Sequence, residues 1–180
     1  WYYLKVMATL WLPGFLLLPW LLPAWWRRLR RGDPRFWILL GWSALVLLFF
    51  SASPGKREVY IFPMLPILCV AAAPLLHALL KRVAVRRMLF AYLLVLGIAF
   101  TGLGLSALTE TSQWAHALAA QRGIGGQTMV AFVAWLLALG MTLLGILAWS
   151  RLRHVGAALV LCTSAVWIAY GIGLAPTLDA

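Results

Sequence analysis

Acidic side chains are almost missing from this sequence. Asp33, Glu58, Glu110 and Asp179 are the only four among 180 residues, against fifteen lysines and arginines. None lies in the middle of an apolar run, whereas a proton- or ion-coupled carrier usually keeps ionisable groups at membrane depth. Cysteine is equally scarce. Cys69 and Cys162 each sit mid-run and read as small core residues rather than a disulfide or a metal pair. No GxxxxGK[ST], HExxH or GxSxG motif and no Cys/His cluster occurs, which removes the usual signatures of a P-loop, a helical zinc site and a hydrolase nucleophile elbow. Glu110 and His116 lack the i,i+4 spacing of a helical metal pair, so no residue is assigned to a metal.

What the chain has in abundance is apolar length. It is 64% hydrophobic with a mean hydropathy of +0.95, and a helix of roughly 20 apolar residues crosses a hydrocarbon core about 30 Å thick. The runs are continuous, without the alternation of a transmembrane barrel. The expected fold class is therefore all-α: a polytopic integral membrane protein with six transmembrane helices. The spans are placed at about 4–25, 36–52, 60–80, 88–108, 128–149 and 155–175, in one transmembrane region over 1–180. The chain begins at Trp1 without an initiator Met and stops just after an apolar run, which reads as a piece of a longer protein.

The net charge of +11 raises the question of nucleic acid, but the cations gather at the ends of apolar runs, which is a topology signal. No nucleic-acid partner is expected. The connection between the first two spans holds Arg27, Arg28, Arg30, Arg31 and Arg35. The third-to-fourth connection holds Lys81, Arg82, Arg86 and Arg87, and the fifth-to-sixth holds Arg151 and Arg153. Eleven of fifteen cations thus share one face, which the positive-inside bias makes cytoplasmic. Both chain ends then face outward, to the periplasm if the source is a Gram-negative bacterium. Trp25, Trp26, Trp37 and Trp149 sit at inner span ends as interfacial anchors. Asp33, within Gly32-Asp33-Pro34, reads as a turn or cap residue. Gly97, Gly102, Gly104, Gly140, Gly145, Gly171 and Gly173 read as positions of close helix approach. In the outer connection 109–127, Trp114, Ala117, Leu118 and Gln121 share one face of an expected short helix lying on the membrane interface.

Of the four outward cations, Lys5, Lys56, Arg57 and Arg122, two are adjacent in one tight turn. Lys56 offers a mobile point charge and Arg57 a planar fork, the two donor types that bind phosphate. Tyr60 adds a hydroxyl at the start of a helix braced by Pro63 and Pro66, where free N–H groups would favour an anion. Gly55 would let the turn close and leave room for a ligand. The same residues also fit an ordinary outer loop whose cations meet lipid headgroups, with Glu58 paired locally.

The hairpin sequence Phe50-Ser51-Ala52-Ser53-Pro54-Gly55-Lys56-Arg57-Glu58-Val59-Tyr60-Ile61-Phe62-Pro63 follows the pattern F-S-x-x-x-G-K-x-x-x-Y-[IL]-x-P. It resembles a signature of bacterial membrane glycosyltransferases of the GT-C fold, in the family of aminoarabinose lipid A transferases and relatives of protein O-mannosyltransferases. Trp1-Tyr2-Tyr3-Leu4 with Leu18-Pro19-Trp20, and Leu174-Ala175-Pro176-Thr177-Leu178-Asp179, are similar to further stretches of that family, but the hairpin is the specific one. The resemblance implies the C-terminal membrane half of an enzyme that moves a sugar from an undecaprenyl-phosphate-linked donor to a lipid A-like or other acceptor at the periplasmic face of the bacterial inner membrane. It places Lys56 and Tyr60 among the residues holding the donor phosphate. Arg57 falls at a variable position and joins them on its charge. The family's catalytic aspartate belongs to an earlier periplasmic loop, so no catalytic residue is named here. No cofactor is identified; a divalent metal, if one is used, would belong to that N-terminal half. The competing reading is a transporter or lipid-flippase subunit that captures a lipid phosphate with the same cations.

Overall fold

The structure, a computed structural model, describes residues 2–53, 55, 57–109, 113–123 and 125–178. Among them are nine α-helices and no strand: α1 (Tyr2–Leu10), α2 (Leu18–Arg30), α3 (Pro34–Ala52), α4 (Met64–Leu80), α5 (Val83–Ala107), α6 (Gln113–Arg122), α7 (Gly126–Ser150), α8 (Val155–Ile168) and α9 (Ala175–Leu178). Short 3-10 turns cover Gly14–Leu17 and Glu58–Ile61, and a π turn covers Ala169–Leu174. Five stretches are long and apolar enough to cross a membrane, or six if α1 and the bent segment after it form one span. Ile38, Leu48 and Val130 are each about 70% exposed. A soluble monomer does not display such surface at this scale, whereas lipid accepts it. The protein is an all-α, multi-pass membrane protein.

The helices pack as two compact units, Trp1–Val85 and Arg86–Ala180. In the first, the opening apolar run is broken: α1 and Gly14–Arg30 meet at 105°. Pro13 and Gly14 end the helix because proline has no N–H and disfavours helical backbone in the residue before it. Pro19 is tolerated in the first turn of α2, while Pro23 removes the bond to the Pro19 carbonyl from the helix interior. The turn from α2 into α3 is fixed locally. Gly32 takes φ +70°, Asp33 accepts the Arg35 N–H at 3.2 Å as the N-cap, and Pro34 occupies the first helical position. Asp33 is thus a capping residue, as its tripeptide suggested. Its pair with Arg28 is long, at 3.9 Å, and solvent-facing, and adds little. The buried Trp25 indole donates to the Ala71 carbonyl at 3.0 Å, tying α2 to α4 one residue beyond the carbonyl that Pro74 deprives of its helical donor.

The second unit is built around α7. Phe132, Leu136, Leu139, Leu143 and Leu147 form one buried helical face. They pack with Leu93 of α5, Ala158 and Cys162 of α8, and Ala169 and Leu174 of the π turn. Four glycines set the approach distances. A Cβ at Gly97 would meet Leu144 at 2.9 Å and one at Gly104 would meet Leu137 at 2.7 Å, while Gly140 lies against Thr101 and Gly173 against Trp135. Gly102, Gly145 and Gly171 have nothing within 4 Å, so only part of the glycine set serves packing. Helix α6 forms where a short helix was expected, but its apolar face is turned onto this core. Trp114 and Leu118 pack against the cluster, and the Trp114 indole donates to the Ser106 hydroxyl at 3.1 Å. Of the face assigned to the lipid interface, Trp114 and Leu118 are thus partly covered by protein, while Ala117 and Gln121 stay exposed.

Candidate functional site

The hairpin between α3 and α4 is shaped by its prolines. Ser53 is extended (φ −71°, ψ 136°), as expected of a residue before proline. Arg57 is also extended, and the chain then winds into the turn Glu58–Ile61. Within it Tyr60 donates its N–H to the Arg57 carbonyl and Phe62 to Val59, both at 3.3 Å, and Leu65 donates to Phe62 at 3.0 Å. Those N–H groups are spent inside the turn, and Pro63 and Pro66 have none. The anion-binding contribution expected from the helix start is correspondingly reduced. The Tyr60 ring stacks on Phe50 of α3, with centroids 4.8 Å apart and planes 19° from parallel. Ile61, completely buried, anchors the turn from below.

Of the three residues singled out for phosphate, the structure holds Tyr60 half-buried in that stack and leaves Arg57 exposed. Lys56 lies outside the described residues. Arg57 and Glu58 form no ion pair with a described residue; among these the one pair is Arg28–Asp33. Among the described residues nothing lies within 4 Å of where a Cβ on Gly55 would stand. That leaves the room for a ligand that was expected of it.

Two further features of this unit escaped the sequence reading. Helix α1 packs on the hairpin through a cluster of Tyr3, Val6, Met7 and Trp11 with Val46, Ile61 and Met64. Tyr3 is 4% exposed, and its hydroxyl is buried without a hydrogen-bond partner. Below the same cluster, Trp11, Leu17, Leu21, Trp25, Leu65 and Leu76 help line an apolar groove of about 240 Å³. The Trp11 indole N–H is also buried and unpartnered. The only sequence signal for either feature was the pairing of aromatics at the start of α1 with small residues on α4.

Among the described residues no group of three or more His, Cys, Asp and Glu comes together; Glu110 and Asp179 lie outside that set. Both cysteines are free, Cys162 in the second unit's core and Cys69 on the groove wall.

Comparison with known proteins places the chain in a family. The family model of the Alg9-like mannosyltransferases matches residues 1–125, which take in α1 through α6 and the whole hairpin. The chain belongs to that family. Among curated proteins this Alg9-like chain is similar to the undecaprenyl phosphate-alpha-4-amino-4-deoxy-L-arabinose arabinosyl transferase of Serratia proteamaculans (34% identical over 151 residues, 76% of this chain and 25% of the relative). It is also similar to the enzyme of the same name from Pectobacterium carotovorum (32% over 143 residues, 75% and 24%). A Sodalis glossinidius relative, arabinosyl transferase 1 for that donor, is 45% identical over 74 residues, 41% of this chain and 13% of its own. The chain thus spans about a quarter or less of the length of these relatives. No solved structure matches it.

Proposed function

We propose that this chain is the donor-phosphate-binding membrane part of a glycosyltransferase. The enzyme moves a sugar from an undecaprenyl-phosphate-linked donor to a lipid A-like or other acceptor at the periplasmic face of the bacterial inner membrane. The observation that carries the reading is the hairpin: a GK-x-x-x-Y turn in a family member, with Tyr60 stacked on Phe50 and Ile61 sealed beneath it. The relatives' names, which specify an undecaprenyl-phosphate sugar donor, support the donor class. The reported relatives are transferases by name, which gives a transporter reading no support.

In the transfer, the bond between the sugar's anomeric carbon and the phosphate oxygen breaks while the acceptor oxygen bonds to that carbon and loses its proton to a base. The hairpin's share is electrostatic. Negative charge grows on the departing phosphate, and an ammonium and a guanidinium at the membrane surface stabilise it more than the ground state. Lys56 is the principal donor, Tyr60 adds a neutral hydroxyl bond, and Arg57 contributes longer-range charge. The apolar groove below the hairpin cluster suits the first carbons of an isoprenoid chain.

Sugar transfer by purified variants of the whole protein tests this. A charge-assisted bond to phosphate contributes about 1.5–3 kcal/mol, so Lys56→Ala should lower transfer about ten- to a hundredfold. Tyr60→Phe should lower it less, and Arg57→Ala should be intermediate or mild. A Lys56→Ala variant that transfers like the parent would return the hairpin to an ordinary loop. Topology is tested separately: in a cysteine-free background, Gly55→Cys should react with an impermeant thiol reagent in intact cells and Arg86→Cys should not.

A further inference from the structure

We propose that the end of the first unit opposite the hairpin is a docking surface for anionic phospholipid headgroups. Helix α3 runs into the hairpin and α4 runs out of it. The start of α3 and the end of α4 therefore share the far end of the unit, about 25 Å from the hairpin along the 17 residues of α4. The last turn of α2 joins them there, since only Arg31, Gly32 and Asp33 separate it from α3. These helix ends pool seven of the fifteen cations: Arg27, Arg28, Arg30 and Arg31 at the end of α2, Arg35 in the first turn of α3, and Lys81 and Arg82 after α4. All seven are exposed.

Little of this charge is spent within the unit. Cations at a helix C-terminus commonly meet its last carbonyls, but at α2 other donors already do so. The Arg31 N–H reaches the Arg27 and Arg28 carbonyls at 3.2 Å, while the Gly32 N–H and the Trp37 indole reach that of Leu29 at 3.0 and 3.1 Å. Asp33, the one described acid at this end, accepts the Arg35 N–H with one oxygen and stands 3.9 Å from Arg28 with the other. Two guanidiniums are also held in place, Arg30 over the Trp26 ring at 5.1 Å and Arg28 over Phe36 at 5.7 Å. Stacking occupies the guanidinium face and leaves its edge N–H groups free to donate, in the fork that matches a phosphate. Trp26 and Trp37, 57% and 58% exposed, stand among these cations, and such rings settle in the headgroup layer. That depth selects the partner. The phosphates met there belong to lipids, and a cluster of surface cations draws anionic headgroups over zwitterionic ones. A topology signal requires only an excess of charge on one side. It does not require three helix ends to pool that charge or aromatic rings to hold it.

The test is lipid binding by the whole protein in detergent micelles, followed by native mass spectrometry. Phosphatidylglycerol is the probe, and phosphatidylcholine with the same chains is its control. The parent should bind phosphatidylglycerol about tenfold or more tightly than phosphatidylcholine, each surface cation contributing up to about fivefold. The triple change Arg27→Gln, Arg30→Gln, Arg31→Gln should weaken phosphatidylglycerol binding about tenfold or more and leave phosphatidylcholine binding unchanged. The matched triple change in the second unit, Arg86→Gln, Arg151→Gln, Arg153→Gln, should cost less than about threefold. No preference in the parent, parent-like binding by the first triple variant, an equal loss for phosphatidylcholine, or equal losses in the two triple variants overturns the proposal. A second measurement needs no variant. Phosphatidylglycerol carrying a diazirine on its headgroup should label the parent at 26–37 and 80–83 above all other segments. Equal labelling at 86–87 and 151–154, or the same pattern from the phosphatidylcholine analogue, overturns the proposal as well.

Discussion

The two units solve different problems with the same apolar alphabet. Eight of the nine prolines lie in the first unit and eleven of the fifteen glycines in the second. Prolines carve the first: they break its opening run, kink α2 and α4, and stiffen the hairpin. The result is irregular, with an open groove and two buried polar atoms left unpartnered, on Tyr3 and Trp11. Glycines compress the second, letting α5 and the π turn close onto α7 around a dry face of leucine and phenylalanine. The second unit also keeps a buried Arg86 Nε without a partner and clefts of about 380 and 250 Å³, so the contrast lies in how the helices approach one another, not in how completely they pack.

The sharpest way to break this contrast is inside the second unit. A Cβ on Gly140 would overlap the Thr101 backbone, whereas Gly145 faces open space. Gly140→Ala should therefore cost about 2–3 kcal/mol of stability by overpacking, and Gly145→Ala should gain up to about 1 kcal/mol through helix propensity. Unfolding midpoints of the two purified variants check this; equal midpoints would mean that glycine does not set the approach of α5 to α7. A smaller effect belongs to the first unit. Phe50→Leu removes the stack that orients Tyr60 and should cost about 1 kcal/mol, near fivefold in sugar transfer, without a comparable fall in the unfolding midpoint. The smallest is expected in the connection 109–127. The double change Glu110→Gln, His116→Gln should leave turnover close to the parent. A loss of a hundredfold, about 2.7 kcal/mol at the transition state, would place a catalytic group in the unit assigned here to packing.

Much of this was legible in the sequence because membrane helices announce themselves through length and continuity. Asp33 between Gly32 and Pro34 was readable as a cap because all three residues act within one turn. The hairpin stood out because Lys56 and Arg57 are adjacent cations between two apolar runs. Long-range features were not readable. Pro13 and Pro19 mark where a helix must break, but the 105° bend depends on what α1 packs against. Which glycines touch a neighbour depends on helix rotation, so Gly97 and Gly102 look alike in sequence and differ in space. Trp114 and Leu118 form an apolar face whose covering, lipid or protein, no local pattern specifies. Tyr3 was hidden for the same reason: its burial in one cluster with Val46, Ile61 and Met64 joins residues more than forty positions apart.

The central claim, that the outward cations of the first unit bind a lipid-linked phosphate while those of the second do not, is tested most directly by one matched pair of affinities. Undecaprenyl phosphate should bind Lys56→Ala about ten- to a hundredfold more weakly than the parent, and should bind Arg122→Ala, an exposed cation on α6, as tightly as the parent. Equal losses in the two variants, or none at Lys56, would contradict the account.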